Sequence, residues 1–237
     1  MIDSAQNPRF KQLLKLKQKK QRLEEGLFLV EGEHLVEEAI ASGYCELLIA
    51  NAAVPYWNQD TLILSPVLLK QLSELESSKL IFALCRIPKE QKPGKRVLLL
   101  DGIQDPGNLG TLIRSAAAFD FDTIVYENTV DVYSQKVIRS SQGALFKLSL
   151  ISMELSAFIN AHKDYQYYGT SVNQGLDVRD IVPKNPKIAI VLGNEGQGVR
   201  EDILKLVNQV ITIPMAKAES LNVGVAGSII MYHFSLF

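Results

Sequence analysis

Three short segments of this 237-residue chain combine glycine or proline with polar side chains, and each directly follows an apolar run. In the first, DGIQDPGNLGTLIRSA (residues 101–116), Pro106 and Gly107 favour a turn and Asn108 is a suitable helix N-cap. Arg114 falls outside the apolar stripe of the helix that follows, so we expect its side chain to point away from the core. By itself, the segment fits a ligand-binding loop and an ordinary capped helix with a surface arginine equally well.

The second segment, LGNEGQG (residues 192–198), contains three glycines, which let the backbone approach a ligand closely. Glu195 lies between glycines, where its carboxylate could meet a cation or a hydroxyl group. The glycine spacing is GxxGxG, so the segment lacks the GxGxxG fingerprint of dinucleotide-binding folds. Taken alone, it is more typical of a plain strand–helix turn.

The third segment, IPMAKAESLNVGVAGS (residues 213–228), places Ser220 and Asn222 before an apolar helix, where N-capping favours such residues. The helix is apolar around nearly all of its circumference, which is typical of a buried helix. Its small residues, among them Gly224 and Gly227, would let another helix approach closely. The pattern predicts a dimer interface, with burial inside the monomer as the alternative.

The elements around these segments alternate between strand and helix from residue 97 onward, which predicts an α/β domain with a mainly parallel sheet. Ligands bind open α/β sheets beyond the carboxyl ends of the strands, so we expect the three segments to lie at one edge. The predicted strands cover residues 97–102, 122–127, 165–172, 187–193 and 209–214. The predicted helices begin at residue 109 and then cover residues 134–145, 155–162, 199–207 and 221–237.

A smaller α/β region precedes this domain, and it starts with a basic amphipathic helix over residues 7–25. The polar segment PKEQKPGKR (residues 88–96) has the composition of a linker. We therefore expect a first domain over residues 1–90 and a second domain over residues 95–237. Within the first domain we expect strands at 27–32, 47–50, 61–65 and 81–87, and helices at 34–41 and 66–76.

Basic residues are concentrated at the start of the chain, although the net charge is only −1. Residues 1–22 carry seven basic side chains and one acidic side chain, and such a cluster suits contact with phosphates. A solvated helix face is the alternative interpretation. The candidate phosphate contacts are Arg9, Lys11, Lys15 and Lys19.

Cysteine content and hydropathy exclude several classes of protein. Cys45 and Cys85 form no CxxC pair and have no histidine cluster nearby, which argues against a zinc site and against a disulfide-stabilised secreted protein. The sequence has no apolar run of about eighteen residues or more, so we expect no transmembrane helix. We expect a cytoplasmic protein that binds neither a metal nor a membrane.

Together and in this order, the three segments resemble the three motifs of the SpoU family of RNA ribose 2′-O-methyltransferases, in the SPOUT superfamily. The segment YSQKVIRSSQGALF (residues 133–146) resembles a further stretch of that family. The start of the chain, NPRFKQLLKLK…EGLFLVEGEHLVEEAI, is similar to the substrate-binding domain that precedes the catalytic domain in many members. Gln135, Lys217 and Gly224 depart from the residues typical of the family.

The resemblance implies a fold that periodicity could not suggest. It implies an α/β SPOUT domain with a mainly parallel sheet and a deep trefoil knot, preceded by a smaller α/β domain like a ribosomal protein. It also implies a homodimer that forms through the C-terminal domain, with S-adenosylmethionine as the cofactor and RNA as the partner.

The implied reaction is transfer of a methyl group to a ribose 2′-hydroxyl of ribosomal RNA rather than transfer RNA, because the first domain resembles a ribosomal protein. A catalytically inactive RNA-binding protein of the same fold is the alternative. A nucleotide-dependent oxidoreductase does not fit the glycine spacing, and a small-molecule methyltransferase would not explain the first domain.

The resemblance also implies roles for single residues. Arg114 would lie nearest the ribose hydroxyl, either as the base or as a clamp on an RNA phosphate while another group or water takes the proton. We favour the clamp, because a guanidinium resists deprotonation. The side chains implied to orient the arginine and the substrate are Asn108, Glu195, Ser220 and Asn222. The positions implied to hold the cofactor are Thr170, Gly193, Asn194, Gly196, Ile213 and Leu221.

Overall fold

The computed structural model of the chain describes residues 1–74, 80–89 and 91–237. The chain divides into two compact units: Met1–Glu90 with Tyr133–Phe146, and Gln91–Val132 with Lys147–Phe237. The α-helices are α1 (Pro8–Lys15), α2 (Lys19–Glu25), α3 (Glu33–Ala41), α4 (Pro66–Leu72), α5 (Pro106–Ala118), α6 (Gln135–Ser141), α7 (Leu155–Ala161), α8 (Glu201–Leu204) and α9 (Val223–Ser235). The strands are β1 (Leu27–Glu31), β2 (Cys45–Ala50), β3 (Thr61–Ile63), β4 (Phe82–Arg86), β5 (Arg96–Asp101), β6 (Thr123–Glu127), β7 (Ser149–Ser152), β8 (Gln166–Thr170), β9 (Leu176–Asp177), β10 (Ile188–Gly193) and β11 (Gln209–Thr212).

The first unit contains a four-stranded sheet in the order β1-β4-β2-β3. Strand β4 pairs antiparallel with β1 and β2, and β2 pairs parallel with β3. Phe10 of α1, Leu68 of α4 and Phe82 of β4 belong to one buried cluster, so the two helices and the sheet share a core. Helix α4 ends at Leu72, and residues 75 and 76 of its predicted range, like residue 90 of the predicted linker, lie outside the described residues.

The basic helix expected over residues 7–25 is two helices, so the prediction of one continuous helix is wrong. The backbone amides of Leu16, Lys17 and Gln18 donate to carbonyls three residues earlier, which tightens and ends α1. Gln18 is extended (φ −92°, ψ 131°), and α2 starts after it. The buried Arg22 side chain donates from Nη1 to the Leu16 carbonyl at 2.6 Å. Arg22 therefore supports the fold of this unit and does not add to its exposed basic surface.

Residues 133–146 pack with the first unit, although they come from the middle of the range expected for the second domain. The centre of the Tyr133 ring lies 4.7 Å from that of the Phe28 ring, and the Phe146 ring stacks on the Phe28 ring with centres 6.4 Å apart. Gln135 donates from Nε2 to the Leu29 carbonyl at 2.7 Å. The predicted helix 134–145 is shortened to α6, because Gln142 adopts a left-handed conformation (φ 51°) that ends it.

The second unit contains a seven-stranded sheet in the order β7-β6-β5-β10-β8-β11-β9, and all its strand pairs are parallel. This confirms the predicted α/β class. Strands β7 and β9 were not predicted, because four and two residues are too short to show an alternating pattern. The helix predicted over 199–207 is reduced to α8, because the Asn208 amide and side chain pair with the backbone of Tyr167 and turn the chain into β11.

Helix α9 packs against α5 and β10, and Gly227 makes this close approach possible. A Cβ atom built on Gly227 would lie 2.4 Å from Leu112 and 2.6 Å from Leu192. Only one face of α9 is buried: Ile229 and Tyr232 are 41% and 55% exposed. Burial inside this chain therefore explains only part of the apolar pattern. Among the described residues, neither α9 nor another helix has the length and hydropathy needed to cross a membrane.

Candidate active site

Four neighbouring parallel strands bring the polar loops of the second unit to one edge of its sheet. Strands β5, β10, β8 and β11 lie side by side in this order, and each is parallel to the next. Their carboxyl ends therefore face the same side, where open α/β sheets bind ligands. The loops after β5, β10 and β11 are the three segments that the sequence singled out.

A cavity of about 600 Å³ lies among the loops after β8, β10 and β11. Its walls include the apolar side chains of Leu192, Ile211 and Ile230, and three of the expected orienting residues also line it: Glu195, Ser220 and Asn222. The volume and the mixture of apolar walls with a few polar groups are typical of small-molecule sites. All the positions expected to hold a cofactor line the same cavity: Thr170, Gly193, Asn194, Gly196, Ile213 and Leu221.

The loop after β10 closes on itself beside the cavity. The amide of Asn194 donates to the carbonyl of Gly198 at 3.1 Å, and the amide of Gly198 donates back at 2.9 Å. Gly193 must be glycine here, because a Cβ atom would lie 2.0 Å from the Gly198 carbonyl carbon. The Asn194 side chain accepts from the Gly196 amide and donates to the Gly102 carbonyl, both at 2.9 Å. The loop is thus attached to the end of β5.

The Glu195 carboxylate is held by donors from the segment after β5. It accepts hydrogen bonds from the amides of Gln104 (3.2 Å) and Asp105 (3.1 Å), and from Nδ2 of Asn108 (3.0 Å). Partial burial would raise the pKa of this carboxyl, but the hydrogen bonds from Asn108 and the backbone amides outweigh that effect and lower it. Glu195 is therefore an ionised link between two loops.

Asn108 and Asn222 extend this link to the third loop. Nδ2 of Asn222 donates to Oδ1 of Asn108 at 2.8 Å, and Oδ1 of Asn222 accepts from the Gly224 amide at 2.9 Å. Asn222 is thus the N-cap of α9, as predicted. The expected N-cap role of Asn108 is wrong: Asp105 caps α5, because Pro106 already occupies its first turn. The Asn108 side chain is therefore available to join Glu195 to Asn222.

Arg114 is not brought into this cluster. It is exposed on α5, as predicted, but it does not line the cavity. Within the described part of the chain, its guanidinium forms no hydrogen bond or ion pair. The basic candidates Arg9, Lys11, Lys15 and Lys19 lie in the first unit and are all exposed.

Sequence reasoning missed a second cluster at the same edge of the sheet. The Arg200 side chain donates to Asp101 at the end of β5 and to Glu127 at the end of β6. Asp101 is only 3% exposed, and a carboxylate at the end of an apolar strand was the signal that could have pointed to it. In residues 1–74, 80–89 and 91–237, no group of three or more His, Cys, Asp and Glu side chains could hold a metal ion.

This arrangement can bind a flat heterocycle between apolar walls and offer backbone hydrogen bonds to its edges. It can also keep three loops in fixed positions before a ligand arrives, since Glu195, Asn108 and Asn222 are already bonded to one another. The exposed guanidinium of Arg114 can bind an anion outside the cavity.

Comparison with known proteins gives the family of the chain. Residues 95–232 match the model of the SpoU rRNA Methylase family, which is more than half of the chain. This protein belongs to the SpoU rRNA methylase family. Residues 7–83 match the model of the MRM3-like substrate binding domain. The family resemblance read from the three motifs is therefore confirmed.

Three similar proteins match nearly the whole chain. The 23S rRNA (guanosine(2553)-2′-O)-methyltransferase RlmP of Bacillus subtilis is 37% identical over 98% of this chain and 98% of its own length. The AdoMet-bound rRNA methyltransferase from Sinorhizobium meliloti is 25% identical, with a TM-score of 0.87 over 98% of this chain and 95% of that chain. The SpoU methyltransferase AviRb from Streptomyces viridochromogenes, in complex with AdoMet, is 26% identical, with a TM-score of 0.86 over 98% of both chains.

We expect Gly193→Ala to open the loop after β10, because the added methyl group would collide with the backbone at Gly198. Such overpacking costs about 1–3 kcal/mol, so the melting temperature should fall and the amides of Asn194 and Gly198 should exchange faster with deuterium. Gly196→Ala is the matched control, because its nearest contact would be 3.6 Å from Asn194 Oδ1. Equal exchange rates in the two variants would contradict this account of the loop.

Proposed function

We propose that this SpoU protein transfers the methyl group of S-adenosylmethionine to a ribose 2′-hydroxyl of ribosomal RNA. One observation carries the proposal: a single cavity joins the loops after β8, β10 and β11, and Glu195 and Asn222 on its wall are both bonded to Asn108. The relative from Bacillus subtilis is named for this type of reaction, and two similar solved structures contain AdoMet.

The cavity fits S-adenosylmethionine in size and chemistry. Leu192, Ile211 and Ile230 offer apolar contact to an adenine ring. Thr170 Oγ1 donates to the Val191 carbonyl at 2.8 Å, which leaves its oxygen free to accept a hydrogen bond. When bound, the cofactor supplies an electrophilic methyl group. The residues that we assign to holding it are Thr170, Gly193, Asn194, Gly196, Ile213 and Leu221.

Arg114 would act on the RNA rather than on the cofactor. It lies outside the cavity and is exposed, and a guanidinium presents a fork of N–H donors that matches a phosphate. We assign it the clamp role, which aligns the ribose, while another group or water accepts the hydroxyl proton. Asn108, Glu195 and Asn222 would hold the loops in place around the reacting groups. Ser220 also lines the cavity and would help to orient the substrate.

The first unit would bind the RNA, since residues 7–83 match a substrate-binding-domain model. Arg9, Lys11, Lys15 and Lys19 are exposed there and would contact phosphates. This assignment supports two domains with a boundary near residue 90, with residues 133–146 added to the RNA-binding side. A ribosomal RNA substrate would place the protein in the cytoplasm.

The second unit would form a homodimer through α9 and adopt the trefoil knot of SPOUT proteins. Val225, Ile229 and Tyr232 leave an apolar stripe exposed on α9, and the Phe119 ring extends it beside Tyr232 at 5.6 Å. Apolar faces of this kind on a helix become buried in an interface. Helix α9 follows β11 and packs against α5, and the resemblance of the three motifs to the SPOUT superfamily supports the knot.

We expect purified protein to methylate unmodified ribosomal RNA, with the product mapped as a 2′-O-methyl nucleotide by mass spectrometry. Arg114→Ala should lower turnover roughly 100-fold, as is typical when one charged donor is removed from an active site. AdoMet binding measured by calorimetry should stay unchanged, because Arg114 does not line the cavity.

The matched control for Arg114 is Arg179→Ala, since Arg179 is an exposed arginine and its ion-pair partner among the described residues is the nearby Asp177. It should leave turnover unchanged. Loss of AdoMet binding in Arg114→Ala would show that the clamp role is wrong. Wild-type protein that binds RNA but transfers no methyl group would favour the inactive alternative.

We expect Lys11→Gln, Lys15→Gln and Lys19→Gln together to weaken RNA binding and to flatten its salt dependence. The slope of log K against log salt should fall by roughly 0.7–0.9 for each phosphate that the protein no longer neutralises. Substitution is preferable to deletion of residues 1–22, because Phe10 and Leu13 belong to the core of the first unit. Three exposed lysines of the second unit, Lys163, Lys184 and Lys205, provide the charge-matched control, and an equal effect there would contradict a specific role for α1 and α2.

We expect Ile229→Glu to convert a dimer into a monomer, because a charge would then be buried in the apolar interface. Sedimentation equilibrium measures the mass of each form. Val182→Glu, at a position 62% exposed and outside α9, should remain dimeric. A wild-type protein that sediments as a monomer would contradict the dimer.

A further inference from the structure

Arg200 lies directly after the loop that follows β10, and it is bonded to two neighbouring strands. Its backbone amide donates to Oδ2 of Asp101 at 2.9 Å, and its Nε donates to Oδ1 of the same carboxylate at 2.8 Å. Its Nη2 donates to Oε2 of Glu127 at 2.6 Å. Asp101 ends β5 and Glu127 ends β6, so one residue joins the loop to both strand ends.

The two carboxylates need this cation. Asp101 is 3% exposed, and the side chain of Glu127 is only 17% exposed, so both are largely removed from water. Glu127 also accepts the Leu155 amide at 3.0 Å, which fixes it at the start of α7. Burial would lower the pKa of Arg200, but the hydrogen bond to Glu127 and the charges of both carboxylates outweigh it and raise the pKa. The Arg200 guanidinium therefore stays charged between the two carboxylates.

The loop between Gly193 and Arg200 is attached to the β5 end at three points. Near its start, Asn194 donates to the Gly102 carbonyl, and in its middle Glu195 accepts the amides of Gln104 and Asp105. Arg200 supplies the third attachment, where the loop passes into α8. The first two attachments involve residues on the cavity wall, whereas Arg200 does not line the cavity.

We infer that Arg200 is a positioning residue, which sets the place of the cofactor-binding loop by clamping its end to Asp101 and Glu127. The inference rests on the proposed function, because it assigns the loop to S-adenosylmethionine. Lysine cannot replace the arginine fully, since an ammonium group cannot present a planar fork to two carboxylates at once. The effect of Arg200 on the reaction is therefore indirect and passes through the backbone of residues 193–199.

The test compares Arg200→Ala and Arg200→Lys with the wild-type protein. In Arg200→Ala, the Kd for S-adenosylmethionine measured by calorimetry should rise about 10-fold to 100-fold, as expected when binding groups lose their fixed geometry. The Kd of Arg200→Lys should lie between those of the wild-type protein and Arg200→Ala. The KM for the cofactor should rise in parallel, while kcat at saturating cofactor changes less than about twofold, because a loss of binding that the ground state and the transition state share equally raises KM and leaves kcat unchanged.

A second measurement needs no ligand. In the free protein, deuterium exchange at the amides of Asn194 and Gly198 should be faster in Arg200→Ala and nearly normal in Arg179→Ala, which loses an exposed Arg–Asp pair elsewhere. Normal exchange at these amides in Arg200→Ala would overturn the inference. If the wild-type protein itself bound no S-adenosylmethionine, the proposed function would fail, and the exchange data would still decide whether Arg200 holds the loop.

Two further comparisons separate a positioning role of Arg200 from an effect on general stability. Ile159, buried in the core at 1% exposure, is changed to Val or Ala to match the fall in melting temperature, and cofactor affinity should then be retained. The double variant Asp101→Asn with Arg200→Ala removes one of the two carboxylate charges that Arg200→Ala leaves unpaired, so its melting temperature should recover in part while its affinity stays weak. Equal loss of affinity in the Ile159 variant, or full recovery of affinity in the double variant, would show that Arg200 acts only on stability.

Discussion

Parallel pairing of β5, β10, β8 and β11 is the constraint on which the site depends. Parallel neighbours end at the same edge, so loops that are about ninety residues apart in sequence, after β5 and after β10, become adjacent. The two Cα partners Asp101 and Gly193 are the last residues of these strands, and they stand side by side. A slip in this register would separate Asn108 from Glu195 and break the hydrogen bond that joins the two loops.

The polar side chains at this edge are used mainly to bind one another. Glu195 accepts a hydrogen bond from Asn108, and Asn108 accepts one from Asn222. Arg200 pairs with both Asp101 and Glu127. A cavity built in this way has its walls in place before a ligand enters, which lowers the conformational cost of binding. Arg114 stands apart from this set because α5 carries it away from the cavity, so its donors remain available to a polyanion.

The first unit combines two different uses of basic residues. Lys11, Lys15 and Lys19 are exposed, whereas Arg22 is buried and bonded to the Leu16 carbonyl. Counting charges along residues 1–22 could not separate them, since both kinds occur in the same amphipathic stretch. The packing of residues 133–146 with this unit could not be predicted from the sequence either. The rings of Phe28, Tyr133 and Phe146 come into contact only when the chain has folded.

Local patterns in the sequence determined five of the seven strands of the main sheet, the N-cap of α9 and, through three motifs in order, the family. The sequence did not determine the true N-cap of α5, the break between α1 and α2, or the Asp101–Arg200–Glu127 cluster. These features depend on which distant groups satisfy a hydrogen bond or a buried charge. Apolar periodicity predicts only which face of a helix or strand is buried. Tertiary packing decided which polar groups from distant parts of the chain bond to one another.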